Sequence, residues 1–433
     1  MTREERVKWF EADRFGMFIH WGLYAIPARG EWVRGSEQLT DETYQQYFEE
    51  FDPVDYDPKK WAKLAKTAGM KYAVMTAKHH DGFCLFDSQL TEFKATNTKA
   101  GRDLIREYVD AFRAEGIKVG LYYSIIDWNH PDYPHYNDRN HPKRGLEQYK
   151  DHAKQENFDR YLDYMHGQVR ELCTNYGQID VLWFDFSYDN MRGETWKATE
   201  LIKMIRKLQP NVLIDNRLEV SGDGFGTALS DHPNSYAGDF VSPEQIIPPE
   251  GILRDNGQPM TWEACLTMNN HWGYCYYDHD FKPAECIIKK LVECVSKNGN
   301  MLMNVGPDAK GNIPRKSVEI LTKVGEWMHK NSSSIYQCGA CALPKPDFGR
   351  YTQKGNKIYA HVMEPIIGAV PVHIREEKIE KVRLLQNGVE LPLGKNWTTQ
   401  SYPDYTFIAL NPHTYGTFAL PDPIDTVIEI TLK

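Results

Sequence analysis

No stretch of this sequence reaches the roughly 18 consecutive apolar residues that a membrane-spanning helix needs, so a helical membrane protein is not expected. Runs rich in lysine and arginine are also missing. The 51 basic residues are outnumbered by 60 acidic ones, giving a formal net charge of −9. Such a surface has no basic field for a polyphosphate backbone, and nucleic acid is not an expected partner. The opening Met-Thr-Arg-Glu-Glu-Arg-Val-Lys-Trp-Phe lacks the apolar core and small-residue cleavage site of a signal peptide. A soluble chain is therefore expected, either cytoplasmic or secreted with its signal already removed. The eight cysteines (84, 173, 265, 275, 286, 294, 338 and 341) do not have the spacing of a zinc site and are expected as mostly buried free thiols. Repeats and low-complexity tracts are absent as well. Nothing in the residues sets an oligomeric state.

What the sequence holds in excess is aromatic. With 11 Trp and 25 Tyr in 433 residues, it has more large rings than packing usually asks for. Rings suit carbohydrate clefts, where they lie against the C–H faces of sugars, although most are simply core. A chain of this length exceeds the roughly 250 to 300 residues at which one core stops growing, so two domains are expected.

From residue 15 to about 340, short apolar runs rich in β-branched and aromatic residues alternate with amphipathic helical stretches. That alternation predicts βα units around a parallel sheet. Eight candidate strands cover 15–21, 71–77, 118–124, 180–186, 212–217, 236–241, 261–268 and 300–305, with helices over 102–115, 158–173, 195–208 and 283–296. The expected fold is a (β/α)8-like, TIM-type barrel with an irregular helix complement, lacking a helix or two around strands five to seven. Beyond residue 340 the pattern becomes short alternating runs at 357–362, 370–375, 381–386, 407–410 and 426–432, which predicts an antiparallel β-sandwich. The domains are therefore set at 1–340 and 341–433.

A barrel places its active site at the C-terminal ends of its strands, so polar residues closing apolar runs are the candidates. They are His20 after the first run, His79 and His80 after the second, Tyr122 in the third, Trp183 and Asp185 in the fourth and Arg217 after the fifth. Asp180 and Asp185 bracket the fourth run. Five positions apart, they point to opposite faces, and only Asp185 stands at the catalytic end. Alone it would be read as a helix cap; its His, Tyr, Trp and Arg companions favour a sugar site. Adjacent imidazoles diverge along a strand, so His79-His80 fits hydroxyl contacts better than a metal, and a metal-dependent barrel hydrolase is the alternative.

At these residues the chain resembles the α-L-fucosidases of glycoside hydrolase family twenty-nine. The resemblance is carried by Phe18-Ile19-His20-Trp21-Gly22, Lys78-His79-His80-Asp81-Gly82-Phe83, Gly120-Leu121-Tyr122-Tyr123-Ser124, Leu182-Trp183-Phe184-Asp185 and Asn298-Gly299-Asn300-Met301-Leu302-Met303-Asn304-Val305-Gly306-Pro307. It implies a retaining exo-α-L-fucosidase acting on fucosylated oligosaccharides or glycoconjugates through a covalent fucosyl-enzyme, with no cofactor and no metal. It implies Asp185 as nucleophile and His20, Trp32, His79, His80, Tyr122, Trp183, Arg217 and Trp272 as substrate-binding residues. The general acid/base varies within the family. Gly238-Asp239-Phe240-Val241-Ser242-Pro243-Glu244 matches the segment of its broad-specificity subgroup, so Glu244 on a separate loop is the first choice. Glu263, inside a predicted strand, is the second. A non-catalytic fucose-binding protein remains the other alternative.

Overall fold

The computed structural model describes residues 1–410 and 419–433. Seven parallel strands form one curled sheet: β1 (Phe15–Ile19), β2 (Tyr72–Lys78), β3 (Lys118–Ser124), β4 (Val181–Asp185), β5 (Leu213–Ile214), β6 (Trp262–Thr267) and β7 (Gly299–Val305), in the order β5-β4-β3-β2-β1-β7-β6. These strands are buried on both faces, which is why they read as continuous apolar runs rather than alternating ones. Alternation sorts their two faces. Phe18, Tyr72, Val74, Tyr122, Val181, Trp183, Leu213, Cys265 and Leu302 share one apolar cluster inside the barrel. Met17, Ile19, Ala73, Met75, Leu121 and Leu182 belong to the larger cluster shared with the surrounding helices.

The eighth strand expected over 236–241 does not form. Its place between β5 and β6 is taken by an irregular segment held by isolated bridges, Asp215 with Phe240, Val241 with Trp262 and Glu244 with Cys265. Three residues account for the irregularity. Gly238, at φ +86°, lies so close to the Asp215 carbonyl that a Cβ would stand 2.4 Å from its oxygen. The Asp239 side chain, rather than backbone, accepts the Ile214 N–H at 3.0 Å, and Pro243 has no N–H to give a ladder. The helices thin out here too. Among the described residues, β5 is followed only by the 3-10 turns Asn216–Leu218 and Gly226–Leu229, whereas β3, β4, β6 and β7 are followed by helices Phe158–Asn175, Ala198–Leu208, Ala284–Val295 and Arg315–Asn331.

The N-terminal end of the barrel is closed by a helix outside the sequence-based expectation, Arg3–Asp13, which Thr2 and Glu5 start as a reciprocal capping box. It sends Val7 and Phe10 into the interior cluster, Phe10 lying 4.9 Å from the Phe240 ring and 5.1 Å from Tyr72. The backbone of β1 approaches Tyr72 so closely that a Cβ on Gly16 would meet its ring at 2.4 Å. Gly16→Ala should therefore cost about 1–3 kcal/mol by overpacking, seen as a lower denaturant midpoint. An unchanged midpoint would mean that the interior can yield.

The C-terminal strands are antiparallel as expected. β8 (Gly349–Lys354), β9 (Lys357–Val362), β10 (Val370–Val372), β11 (Ile379–Leu384), β12 (Thr406–Ile408) and β13 (Thr426–Leu432) make a four-stranded sheet, β11-β13-β9-β8, and a two-stranded one, β10-β12. Residues from both, including Val370, Val372, Ile408, Ile358 and Ile428, share one apolar cluster. All eight cysteines are free thiols, six of them buried. Cys338 and Cys341 form a Cys-x-x-Cys pair just ahead of β8. Burial raises both thiols, Cys338 to about 11, so neither is a ready thiolate at neutral pH. Among the described residues no helix is long and apolar enough to cross a membrane.

Candidate active site

The interior rows of the barrel end, at the C-terminal face, in polar groups. Along β4 the period of two carries Val181, Trp183 and Asp185 on one face, so the carboxylate emerges directly above the apolar interior. Phe186, next in the chain, holds φ +88°, an uncommon conformation for a bulky residue, and its N–H is taken by Ser221 Oγ at 3.2 Å. A pocket of about 350 Å³ opens here. It is lined by Phe18, His20, Glu31, Trp32, His79, His80, Tyr122, Trp183, Asp185, Phe186, Glu244, Cys265 and Trp272.

Asp185 is buried and engaged at both oxygens. Tyr122 donates its hydroxyl to Oδ2 at 2.8 Å and Arg217 Nη1 donates to Oδ1 at 2.9 Å. Burial pushes the carboxyl up to about 6, against the opposing pull of Arg217. Arg217 lies behind the pocket, its guanidinium carbon 4.7 Å from the Trp183 ring centre. Its second terminal nitrogen, Nη2, donates to Glu244 Oε2 at 2.9 Å, and Nε donates to Ser242 Oγ at 3.1 Å. One fork thus holds two carboxylates side by side, a geometry that only a rigid planar cation provides. The Asp185 side chain is 12% exposed and that of Glu244 41%, so one carboxylate is recessed and the other faces solvent.

Glu244 comes from a segment separate from β4 and is fixed there by an isolated bridge to Cys265. It ends the irregular segment that completes the barrel. The next residue, Gln245, has φ +56° and is pinned by its N–H to the Cys265 carbonyl at 3.0 Å and its Nε2 to Thr267 Oγ1 at 2.9 Å. Glu263, by contrast, is fully buried outside the pocket lining, where it accepts the Tyr72 hydroxyl. Burial lifts its carboxyl to about 8.

The three histidines line the pocket as neutral rings. Burial pulls His20 down to about 3 and depresses His79 and His80 as well. His20 Nδ1 lies 2.7 Å from Asn304 Oδ1 and His80 Nδ1 2.7 Å from Ser124 Oγ. Those contacts leave each Nε2 free of that partner, and the amide oxygen fixes a proton on His20 Nδ1. His79 lies nearly parallel to the Tyr122 ring at 5.5 Å. Trp32 and Trp272 form the rims. Trp32 packs on His80 at 5.0 Å and Phe186 at 5.3 Å, and Trp272 on His20 at 5.0 Å and Phe18 at 5.8 Å.

Every candidate except Arg217 and Glu263 therefore lines one pocket. Sequence reasoning missed Glu31, a buried carboxyl in the lining that accepts the Gly273 N–H at 2.8 Å. It missed Asn304 too, which donates to the Trp272 carbonyl at 2.7 Å while holding His20. Glu31 stands beside Trp32 and Asn304 within a quoted motif, so adjacency was the available signal. A larger pocket, about 590 Å³, lies beyond the Trp272 loop, but its Asp278 is already engaged by His271 at 2.6 Å.

The alpha-L-fucosidase family profile matches residues 1–333. The chain belongs to the alpha-L-fucosidase family. Among solved structures, it is 61% identical to alpha-L-fucosidase isoenzyme 1 from Paenibacillus thiaminolyticus, covering 100% of this chain and 99% of that one with a TM-score of 0.95. It is 29% identical to a family twenty-nine alpha-L-fucosidase from Bacteroides thetaiotaomicron, covering 99% and 96% with a TM-score of 0.82. That protein was seen as a trapped covalent intermediate with 2-fluoro-fucosyl fluoride, using a glutamate-to-glutamine mutant. Among curated sequences, an alpha-L-fucosidase of Dictyostelium discoideum is 28% identical over 82% of this chain and 77% of its own length.

Proposed function

We propose that Asp185 is the nucleophile and Glu244 the general acid/base with which this fucosidase hydrolyses terminal α-L-fucosyl residues with net retention. The observation that carries the assignment is the bridging of both carboxylates, which line one pocket, by Arg217 behind it. Retention calls for two carboxyl groups roughly 5 to 5.5 Å apart, and the shared guanidinium, 2.9 Å from an oxygen of each, supports reading them as that pair. Asp185, recessed and held by Tyr122 and Arg217, is aimed for attack on the anomeric carbon. Glu244, nearer the solvent, is suited to the leaving group. It protonates the departing oxygen, then takes a proton from the water that releases α-L-fucose.

His20, His79, His80 and Trp183 are the hydroxyl-binding set in this reading, with Arg217 holding the carboxylates. Trp32 and Trp272 are the apolar walls, Trp272 with Phe18 facing the C6 methyl. Residues 1–340 form the catalytic unit and 341–433 the appended sandwich. The substrates are fucosylated oligosaccharides or glycoconjugates.

The pH profile tests the assignment. Asp185 attacks only when ionised, and its carboxyl is raised to about 6 by burial. Protonation on going below that value removes the nucleophile, so kcat/KM for an aryl α-L-fucoside should fall about tenfold per unit below pH 6. Arg217→Gln removes the charge that holds Asp185 down, so the acid limb should move to higher pH. A profile flat down to pH 4 would separate Asp185 from the chemistry.

A further inference from the structure

Between β3 and helix Phe158–Asn175 lies a long connection that the fucosidase reading does not use. Among the described residues it holds the one group of histidine, cysteine or carboxylate side chains whose potential ligand atoms converge: His135, His152 and Glu156, all within 4.8 Å of one another. His135 is buried, and its Nδ1 lies 2.8 Å from Glu156 Oε1. His152 Nδ1 approaches the same oxygen at 3.7 Å, and the two rings stand 4.7 Å apart.

A purely structural role for Glu156 accounts for half of this. Its Oε1 also accepts the His135 backbone N–H at 2.9 Å, which anchors the turn. It does not account for His152, whose Nδ1 is shielded from solvent and without a hydrogen-bond partner. The charged neighbours are engaged elsewhere. Lys143 pairs with Asp41 at 2.7 Å and Asp132 with Arg160 at 2.6 Å, so neither competes for the three groups.

We propose that His135, His152 and Glu156 bind one divalent ion of the zinc type, as a structural site separate from the catalytic pocket. Two imidazole nitrogens and one carboxylate oxygen suit zinc, cobalt or nickel and are a poor set for calcium or magnesium, which take oxygen. A tetrahedral ion with bonds of about 2.0–2.1 Å places its ligand atoms roughly 3.3 Å apart, so small side-chain shifts suffice. Both rings bind neutral, through Nδ1 with the proton on Nε2. Three protein ligands leave the fourth position of the ion to water. The ion ties residue 135 to residues 152–156. The same connection reaches the pocket wall, because Asp138 accepts the Tyr188 hydroxyl and Tyr188 packs 5.2 Å from Phe186.

The test is calorimetric titration of the chelator-stripped full chain with ZnCl2, alongside thermal denaturation with zinc or calcium. Zinc should bind at one ion per chain and raise the melting temperature, and calcium should leave it unchanged. Glu156→Gln and His152→Ala should each weaken zinc on the order of 10-fold or more. His152 is half exposed, so its variant keeps the test valid even where Glu156→Gln disturbs the turn. Absence of zinc binding, or binding of equal affinity in the His152→Ala chain, would overturn the site.

Discussion

Asp185→Gly should lose on the order of 10⁴-fold or more in kcat on an aryl α-L-fucoside, equivalent to about 5 kcal/mol of barrier. The physical reason lies in what the substitution leaves behind. Tyr122 and Arg217, which hold the two carboxylate oxygens, are left facing an emptied space with a positive charge and a hydroxyl donor. A small anion fits that description. Added azide should enter from the nucleophile's side and attack the anomeric carbon, restoring turnover of an activated fucoside. Because it attacks once, from the face opposite the leaving group, the product should be the inverted fucosyl azide. Near wild-type turnover without azide would remove Asp185 from the mechanism.

The second large effect separates the two glutamates. Glu244→Ala should cost roughly 10² to 10⁴ in kcat/KM on substrates with poor leaving groups, such as fucosylated glycans, because their departing oxygen needs a proton. On a fucoside with a strongly acidic phenol as leaving group, the same variant should keep most of its kcat/KM. Its turnover should stall at the covalent intermediate, since the base for water is gone, and azide should relieve that stall. Glu263→Gln should show no such dependence on the leaving group. Glu263 is sealed beneath the pocket against Tyr72, and whatever it changes acts equally on all substrates. Equal losses on both substrate types for Glu244→Ala would point to a binding or structural role.

The parts of the fold legible from residues alone are those governed by short-range pattern. β3 occupies the expected 118–124, and the first, second and fourth strands fall within a residue or two of their runs, because burial on both faces makes each run continuous. The failures have local causes. The stretch 236–241 looks apolar enough for a strand, yet Gly238, Asp239 and Pro243 divert its hydrogen bonding. Helix Arg3–Asp13 escaped notice because it buries only Val7 and Phe10, too few for a visible periodicity. β8 escaped because Gly-Arg-Tyr-Thr-Gln-Lys is largely polar.

The site divides in the same way. Residues at strand ends could be picked out because barrel topology says where they must go. Their couplings could not. That Arg217 reaches both Asp185 and Glu244 depends on the path of the irregular segment and on Gln245 adopting a left-handed conformation, neither of which a linear pattern encodes. Glu31 enters the pocket only because the turn after β1 folds back against Gly273.

The central claim is that Asp185 forms the bond to the sugar, and it can be read directly. Incubation of the wild-type chain with 2-fluoro-fucosyl fluoride, followed by proteolysis and mass spectrometry, should find the fluorofucosyl adduct on the peptide containing Leu182-Trp183-Phe184-Asp185, with fragmentation placing it on Asp185. An adduct on Glu244, Glu31 or Glu263 would contradict the account.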